Sequence, residues 1–316
     1  MEKVLVLLPV TTQQREEFLN IDPDLEIRFM DKEDITTEIL KDFEVIIGNV
    51  PVEMLKQCPK LKWLQLNSAG ADSYVKPGAL LDETMLTNAS GAYGLAISEH
   101  MLAMVLALKK RLFEYHDNMK QNLWQDRGNV TSIFNCVTLV VGLGDIGNEF
   151  AKRMHALGST VYGIRRNCGE KPDYLEGVFS MEQLDEILPK ADVVALSLPG
   201  TKETYQLFDQ KKFALMKESA ILINAGRGNV IAENDLYQAL RKKQIWAAAL
   251  DVTETEPLPK THPLWQCENL LLTPHVAGGF HLDETLNRIV FISIENLKAY
   301  AKKQPLNHVV NREWGY

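Results

Sequence analysis

Short apolar runs alternate with helical patterns along most of the chain. In the first third, the stretches 3–8, 25–29, 44–49, 63–66 and 85–88 predict strands, with helical spacing at 12–19 and 52–56 between them. Strands with so few polar positions are buried on both faces, which points to a mainly parallel sheet covered by helices. Residues 97–116 then read as one long helix whose stretch MLAMVLAL is apolar nearly all round. Such a helix needs cover on several sides, as a core helix, a domain connector or a subunit contact. A second alternating run follows, with strands predicted at 137–141, 160–164, 193–197, 220–224, 247–251 and 270–273 and helices at 145–157, 181–188, 233–242 and 284–301. The last helix leads away from this second run, so the tail is expected to return to the first domain.

Length and composition change this picture little. A chain of 316 residues fits about two domains. The net charge of −8 argues against a nucleic-acid or anionic-membrane surface. Cys58, Cys136, Cys168 and Cys267 form no CxxC pair and no zinc-like spacing, so they read as reduced thiols, and no metal is expected. The opening MEKVLVLLPV reads as a first strand rather than a signal peptide, and no apolar run reaches 18 residues. A cytoplasmic protein is the expectation.

Candidate chemistry begins at Gly142-Leu143-Gly144-Asp145-Ile146-Gly147, which sits between a predicted strand and a predicted helix. In that setting Gly142 permits a tight turn, Gly144 lets a pyrophosphate approach the backbone, and Gly147 allows close helix–strand packing. The helix N-terminus adds unpaired N–H groups and the positive end of its dipole. The next strand ends in Ile164-Arg165-Arg166, with no carboxylate where an NAD site places one for the ribose 2′-hydroxyl. Guanidinium groups there suit a 2′-phosphate, so NADP (as NADPH) is the expected cofactor.

Three further segments end predicted strands of the second run, where open α/β sheets bind ligands. Asn224-Ala225-Gly226-Arg227-Gly228 offers a guanidinium flanked by glycines, suited to a carboxylate plus a carbonyl oxygen. Asp251 ends its strand and is followed by Glu256 in a Pro-bounded loop. Thr273-Pro274-His275 precedes Gly278 and Gly279, and His275 gains weight only through Arg227, Glu256 and the nucleotide loop. Taken singly, each also reads as a structural arginine, an acidic loop or a bland histidine.

The segments GLGDIG, LSLPGTKET, NAGRG, DVTETEP and TPHVAGG together resemble the D-isomer-specific 2-hydroxyacid dehydrogenase family, over essentially the whole length. The arginine-bearing strand end is similar to that of its NADP-preferring glyoxylate/hydroxypyruvate reductases. The resemblance implies an α/β protein with two doubly wound parallel sheets. A Rossmann cofactor domain (97–285) would be inserted in a flavodoxin-like substrate domain (1–96 plus 286–316). It further implies that Arg227 holds the substrate, His275 is the acid–base residue, and Glu256 pairs with it. Leu198, Pro199, Ala225, Gly226, Asp251 and Gly278 would join the glycine loop, Arg165, Arg166, Arg227 and His275 around the cofactor, with Asp251 on the nicotinamide carboxamide. Ala69 and Gly70, in the turn 68–72, would bind the substrate carboxylate through backbone N–H groups, and Ile97 would pack near the nicotinamide. Trp124 resembles a tryptophan that some relatives pass into a neighbouring subunit, although a local core role fits it equally. The implied protein is a homodimer acting on a small 2-keto or D-2-hydroxy acid. Two rivals remain: a formate dehydrogenase-like enzyme, which Glu256 opposes because those pair the histidine with Gln, and a non-catalytic dinucleotide-sensing scaffold of the corepressor type.

Overall fold

A computed structural model describes residues 1–166 and 169–315. Asn167 and Tyr316 lie outside the described residues, as does Cys168, one of the four expected thiols. The chain divides into two compact units, Met1–Tyr93 with Phe280–Tyr316, and Gly94–Gly279, so the second interrupts the first in sequence. The sequence-based edges are 96/97 and 285/286, against breaks here at 93/94 and 279/280.

The first unit carries five strands: β1 (Glu2–Val6), β2 (Leu25–Phe29), β3 (Val45–Ile47), β4 (Trp63–Gln65) and β5 (Met85–Thr87). They pair in the order β2-β1-β3-β4-β5, all parallel, which is the flavodoxin-like arrangement. Val4, Leu5, Val6 and all of β3 are fully buried because helices cover both faces. Leu5, Leu40, Ile46, Leu64, Leu66 and Leu86 belong to one hydrophobic core. Helix Asp283–Ala301 belongs to this unit, and an antiparallel bridge joins Val309 to Thr87.

The second unit carries seven parallel strands: β6 (Val137–Val141), β7 (Thr160–Ile164), β8 (Gly177–Phe179), β9 (Val193–Leu196), β10 (Ile221–Asn224), β11 (Ala247–Leu250) and β12 (Leu270–Leu272). Their order, β12-β11-β10-β9-β6-β7-β8, runs outward both ways from β6 and β9, so the topological switch lies between those two strands. This is the Rossmann order with one added strand. Leu139, Val194, Leu196, Leu222 and Leu250 fill the core beneath the strand ends that carry the candidate chemistry.

Two sequence-based expectations are corrected. The long helix over 97–116 is two helices, Gly94–Lys109 and Leu112–Lys120, separated by Arg111 in the left-handed region (φ 55°). No glycine or proline marks the break. A contact distant in sequence helps make it, since the Thr131 N–H takes the Lys109 carbonyl at 3.1 Å. Strand β8 was not expected, because its three residues are half-buried and too few to show a period. Among the described residues, no helix is long and apolar enough to cross a membrane.

Candidate active site

The glycine loop occupies the end of β6, on the switch side of the sheet, and runs into helix Asp145–Ala156. Gly142 has φ 101°, and a Cβ there would lie 2.7 Å from the Ser197 carbonyl oxygen. A Cβ on Gly147 would lie 1.9 Å from the Gly142 carbonyl oxygen. Both glycines are therefore needed for packing. Gly144 differs: a Cβ there meets nothing within 4 Å, so the space over the loop is open. Ser197 Oγ donates to the Gly142 carbonyl at 2.6 Å and fixes the turn against the end of β9. The first N–H groups of a helix have no intrahelical acceptor, and here they start at that open space. These features fit a dinucleotide pyrophosphate.

The side chains of the loop are engaged elsewhere. Leu143 is buried against Gly163, where a Cβ would come within 2.4 Å of it. Asp145 Oδ2 accepts the Gly94 N–H at 2.7 Å, at the start of helix Gly94–Lys109. Ile97, on that helix, is buried. Beyond β7, Arg165 Nη2 donates to the Glu170 carbonyl at 2.9 Å, while its buried Nε has no partner among the described residues. Arg166 is exposed and lies 3.3 Å from Glu203. No carboxylate stands at the end of β7, and two guanidinium groups do.

The loops after β9, β10, β11 and β12 are stacked by close backbone contact. A Cβ on Gly226 would strike the Leu198 backbone at 2.6 Å, and one on Gly228 would strike the Thr253 carbonyl carbon at 1.9 Å. Glycine at these two positions brings the segment around Arg227 against Ser197 and Leu198 on one side and Thr253 and Glu254 on the other. Asn224 is fully buried and braces the turn, accepting from the Gly226 N–H and donating to the Arg227 carbonyl. Arg227 Nη1 donates to the Gly226 carbonyl at 2.8 Å. Ala225 is buried beside it.

His275 Nδ1 lies 2.7 Å from Glu256 Oε2. The imidazole is half exposed, and the nitrogen turned away from Glu256 is Nε2. Glu256 is fixed in turn, its Oε1 accepting the Thr253 N–H at 3.0 Å. The His275 backbone has φ 52°, a conformation that costs a residue with a Cβ about 1–2 kcal/mol. It is held there by its N–H, which donates to the Asp251 carbonyl at 2.7 Å.

The Asp251 side chain completes that hold. It is buried; Oδ1 accepts from Thr273 Oγ1 at 2.6 Å and from the Val276 N–H, and Oδ2 accepts from the Ala277 N–H. The carboxylate thus clasps the loop on either side of His275. His100, on helix Gly94–Lys109, has Nε2 at 3.1 Å from Thr273 Oγ1 and 3.8 Å from Asp251 Oδ1. Sequence reasoning missed His100 and Thr273, since one histidine on an apolar helix and one threonine before a proline carry no pattern of their own.

In the first unit, the turn bearing Ala69 and Gly70 has its carbonyls tied back. Asn88 Nδ2 donates to the Ala69 carbonyl at 2.8 Å and Ser68 Oγ to the Gly70 carbonyl at 2.7 Å. Among the described residues, no acceptor takes the N–H groups of Ala69 and Gly70. Trp124 is fully exposed, which rules out a core role for it within this chain, and Leu112, Met119, Leu123 and Phe134 near it in sequence are exposed as well.

Fold and site together define a two-unit α/β protein with a Rossmann dinucleotide cradle. The family model for the NAD-binding domain of D-isomer specific 2-hydroxyacid dehydrogenases matches residues 102–277. The chain is 32% identical over 274 residues to glyoxylate/hydroxypyruvate reductase B of Shigella dysenteriae, covering 84% of this chain and 83% of that protein. It is 28% identical to D-3-phosphoglycerate dehydrogenase of Archaeoglobus fulgidus over 98% of this chain and 59% of that one. A family protein from Aeromonas salmonicida has a solved structure with TM-score 0.87 and 30% identity, covering 98% of this chain and 99% of that one. An NADPH-dependent glyoxylate/hydroxypyruvate reductase from Sinorhizobium meliloti, solved with NADP and sulfate, shares the fold with TM-score 0.84 at 23% identity and full coverage of both chains. The chain belongs to the D-isomer specific 2-hydroxyacid dehydrogenase family and is an oxidoreductase of that type.

Proposed function

We propose that the protein uses NADP(H) to interconvert a small 2-keto acid and the matching D-2-hydroxy acid, with glyoxylate and hydroxypyruvate the first candidates. The observation that carries this reading is the 2.7 Å His275–Glu256 pair, with its ring exposed, in the unit that also holds the glycine cradle. The choice of NADP is supported by Arg165 and Arg166 at a strand end without a carboxylate, and by the buried Nε of Arg165, which has no partner among the described residues. The curated glyoxylate/hydroxypyruvate reductase at 32% identity supports the substrate class. A dehydrogenase solved from Xanthobacter autotrophicus at 25% identity holds NADPH, in line with the cofactor.

When bound, the cofactor supplies the hydride. Arg227 holds the substrate carboxylate and carbonyl oxygen, and the Ala69 and Gly70 N–H groups bind the carboxylate. As negative charge develops on the carbonyl oxygen, the Arg227 guanidinium and His275 donate hydrogen bonds to it. His275 passes the proton from Nε2, because Nδ1 is turned to Glu256. The Glu256 carboxylate fixes the ring orientation through Nδ1 and leaves Nε2 to face the carbonyl oxygen, where reduction requires a proton donor. In the reverse direction Nε2 takes the proton from the hydroxyl. Trp124 and its exposed apolar neighbours support a homodimer in which a second copy covers this segment. The formate reading is opposed by Glu256, since hydride removal from formate needs no acid–base pair.

The direct test follows absorbance at 340 nm as purified protein reduces glyoxylate, hydroxypyruvate, pyruvate, phenylpyruvate and branched 2-keto acids, with NADPH and with NADH. Turnover with at least one keto acid, faster with NADPH, is expected. Absence of turnover with all of them favours the non-catalytic scaffold, and equal rates with both cofactors refute the NADP preference.

A further inference from the structure

The loop that carries Glu256 is held by a buried group outside the residues discussed so far. Glu233 opens helix Glu233–Arg241, and its carboxylate is turned inward and only 8% exposed. Its Oε1 accepts the Glu254 N–H at 2.7 Å, two residues before Glu256. Its Oε2 lies 3.4 Å from His262 Nε2. His262 is fixed from the other side, where Nδ1 accepts the Leu264 N–H and caps the short turn Pro263–Gln266. Tyr205 closes the cluster by donating from its hydroxyl to Glu254 Oε1 at 3.1 Å. Gly228 seats the same loop, because its missing Cβ is what lets Thr253 and Glu254 approach the segment around Arg227.

Burial pushes the Glu233 carboxyl above its usual range, and the Glu254 and Glu256 carboxylates add to that. The Glu254 N–H and His262 pull the other way. A helix start does not need so costly a group. Asp235 lies in the same first turn, and an exposed acid serves the helix dipole equally well. What Glu233 supplies that no exposed acid could is an acceptor inside the fold for the Glu254 N–H.

We propose that Glu233, braced by His262, is a positioning residue for the acid–base pair: it fixes the 253–256 loop so that Glu256 meets His275 Nδ1. The inference rests on the reading of His275 and Glu256 given above. The chain of contacts is continuous. The Glu233 carboxylate holds the Glu254 N–H, the Thr253 N–H holds Glu256 Oε1, and Glu256 Oε2 holds His275. Glu233 touches neither substrate nor cofactor in this scheme and acts only through Glu256.

The test compares Glu233→Ala, Glu233→Gln, Glu256→Gln and His275→Ala by steady-state kinetics across pH. A displacement of about 1 Å at a catalytic group costs up to about 100-fold in rate. Glu233→Ala is therefore expected to lower kcat by about 10- to 100-fold. Its KM for NADPH should hold within about twofold, because the glycine cradle does not depend on Glu233. Its kcat–pH profile should move in the same direction as that of Glu256→Gln. Glu233→Gln keeps an oxygen acceptor for the Glu254 N–H and should recover most of the rate. If Glu233→Ala does not accumulate as folded protein, Glu233→Asp carries the test, since it keeps the charge while withdrawing the oxygens by one carbon–carbon bond, about 1.5 Å. Parental kcat and pH profile in the Ala or Asp variant would overturn the inference, as would a Gln variant no better than Ala. A His275→Ala protein with parental turnover would instead overturn the acid–base reading itself, whatever the Glu233 variants do.

Discussion

In the first unit, one group of buried polar side chains bonds mainly within itself and to the tail. Asn296 donates to Gln65 Oε1 at 2.8 Å, Thr87 donates to the same oxygen at 2.7 Å, and Trp63 Nε1 donates to Thr87 at 2.8 Å. Asn296 also exchanges bonds with the Asn307 backbone, so the network ties β4, β5, the last helix and the tail into one core. In the second unit, the polar side chains near the strand ends bond to loops. Asn224 braces the turn of Arg227, Asp251 clasps the chain on both sides of His275, Ser197 pins the glycine turn, and Glu233 holds the loop of Glu256. Both units are parallel α/β sheets, yet one spends its buried hydrogen bonds on closure and the other on presenting exposed groups at its strand ends. A satisfied buried polar group is costly to disturb in either setting. What differs is whether the disturbance is felt as lost stability or as lost turnover.

That contrast can be broken by substitution, beginning at the proposed acid–base pair. His275→Ala should lower kcat by about 10²–10⁴-fold. Binding of NADPH, read by quenching of tryptophan fluorescence, should persist. Near-normal turnover would remove His275 from its proposed role.

Next in size is the cofactor end. The double variant Arg165→Ala with Arg166→Ala removes charge-assisted hydrogen bonds worth about 1.5–3 kcal/mol each. The KM for NADPH is expected to rise by about 10- to 100-fold. That for NADH should stay within about twofold. Equal changes for both cofactors would defeat the assignment of these arginines to a 2′-phosphate.

A smaller effect is expected from Thr273→Val, which removes the hydroxyl bonded to Asp251 and His100 but keeps the side-chain shape. Loss of this hydroxyl and its two contacts should reduce kcat by roughly 3- to 10-fold, about the worth of a net hydrogen bond. An unchanged rate would show that the two backbone N–H groups at Asp251 suffice to hold the loop.

The first unit supplies the contrasting case. Asn296→Ala leaves Gln65 and the Asn307 backbone short of partners, at a cost of about 1–3 kcal/mol in stability. A fall in Tm is expected, with kcat per folded molecule within about twofold of the parent. A large kcat loss at temperatures where the variant is fully folded would erase the distinction between the two units.

Much of the site was legible because its parts are local. GLGDIG places three glycines at fixed offsets in one strand–turn–helix, and each offset answers to a distance within a few residues or across one neighbouring strand. Arg227, Glu256 and His275 each stand a few residues beyond a strand of one parallel sheet, and that alone assigns them to the same edge. His100, Thr273, Glu233 and His262 were not legible. Each does its work through a partner between 21 and 173 residues away, a separation that carries no periodic mark. The break at Arg111 was hidden for the same reason, since the group that takes the Lys109 carbonyl belongs to Thr131.

The sequence by itself determined the two parallel sheets, the nucleotide turn and the membership of Arg227, Glu256 and His275 in one set of strand ends, because hydrophobic period and glycine spacing act over a few residues. Only the tertiary structure decided which nitrogen of His275 faces outward, which buried carboxylates hold the loops, and where the long helix breaks. Those outcomes depend on hydrogen bonds between segments far apart in the chain, and such bonds leave no pattern in the order of the residues.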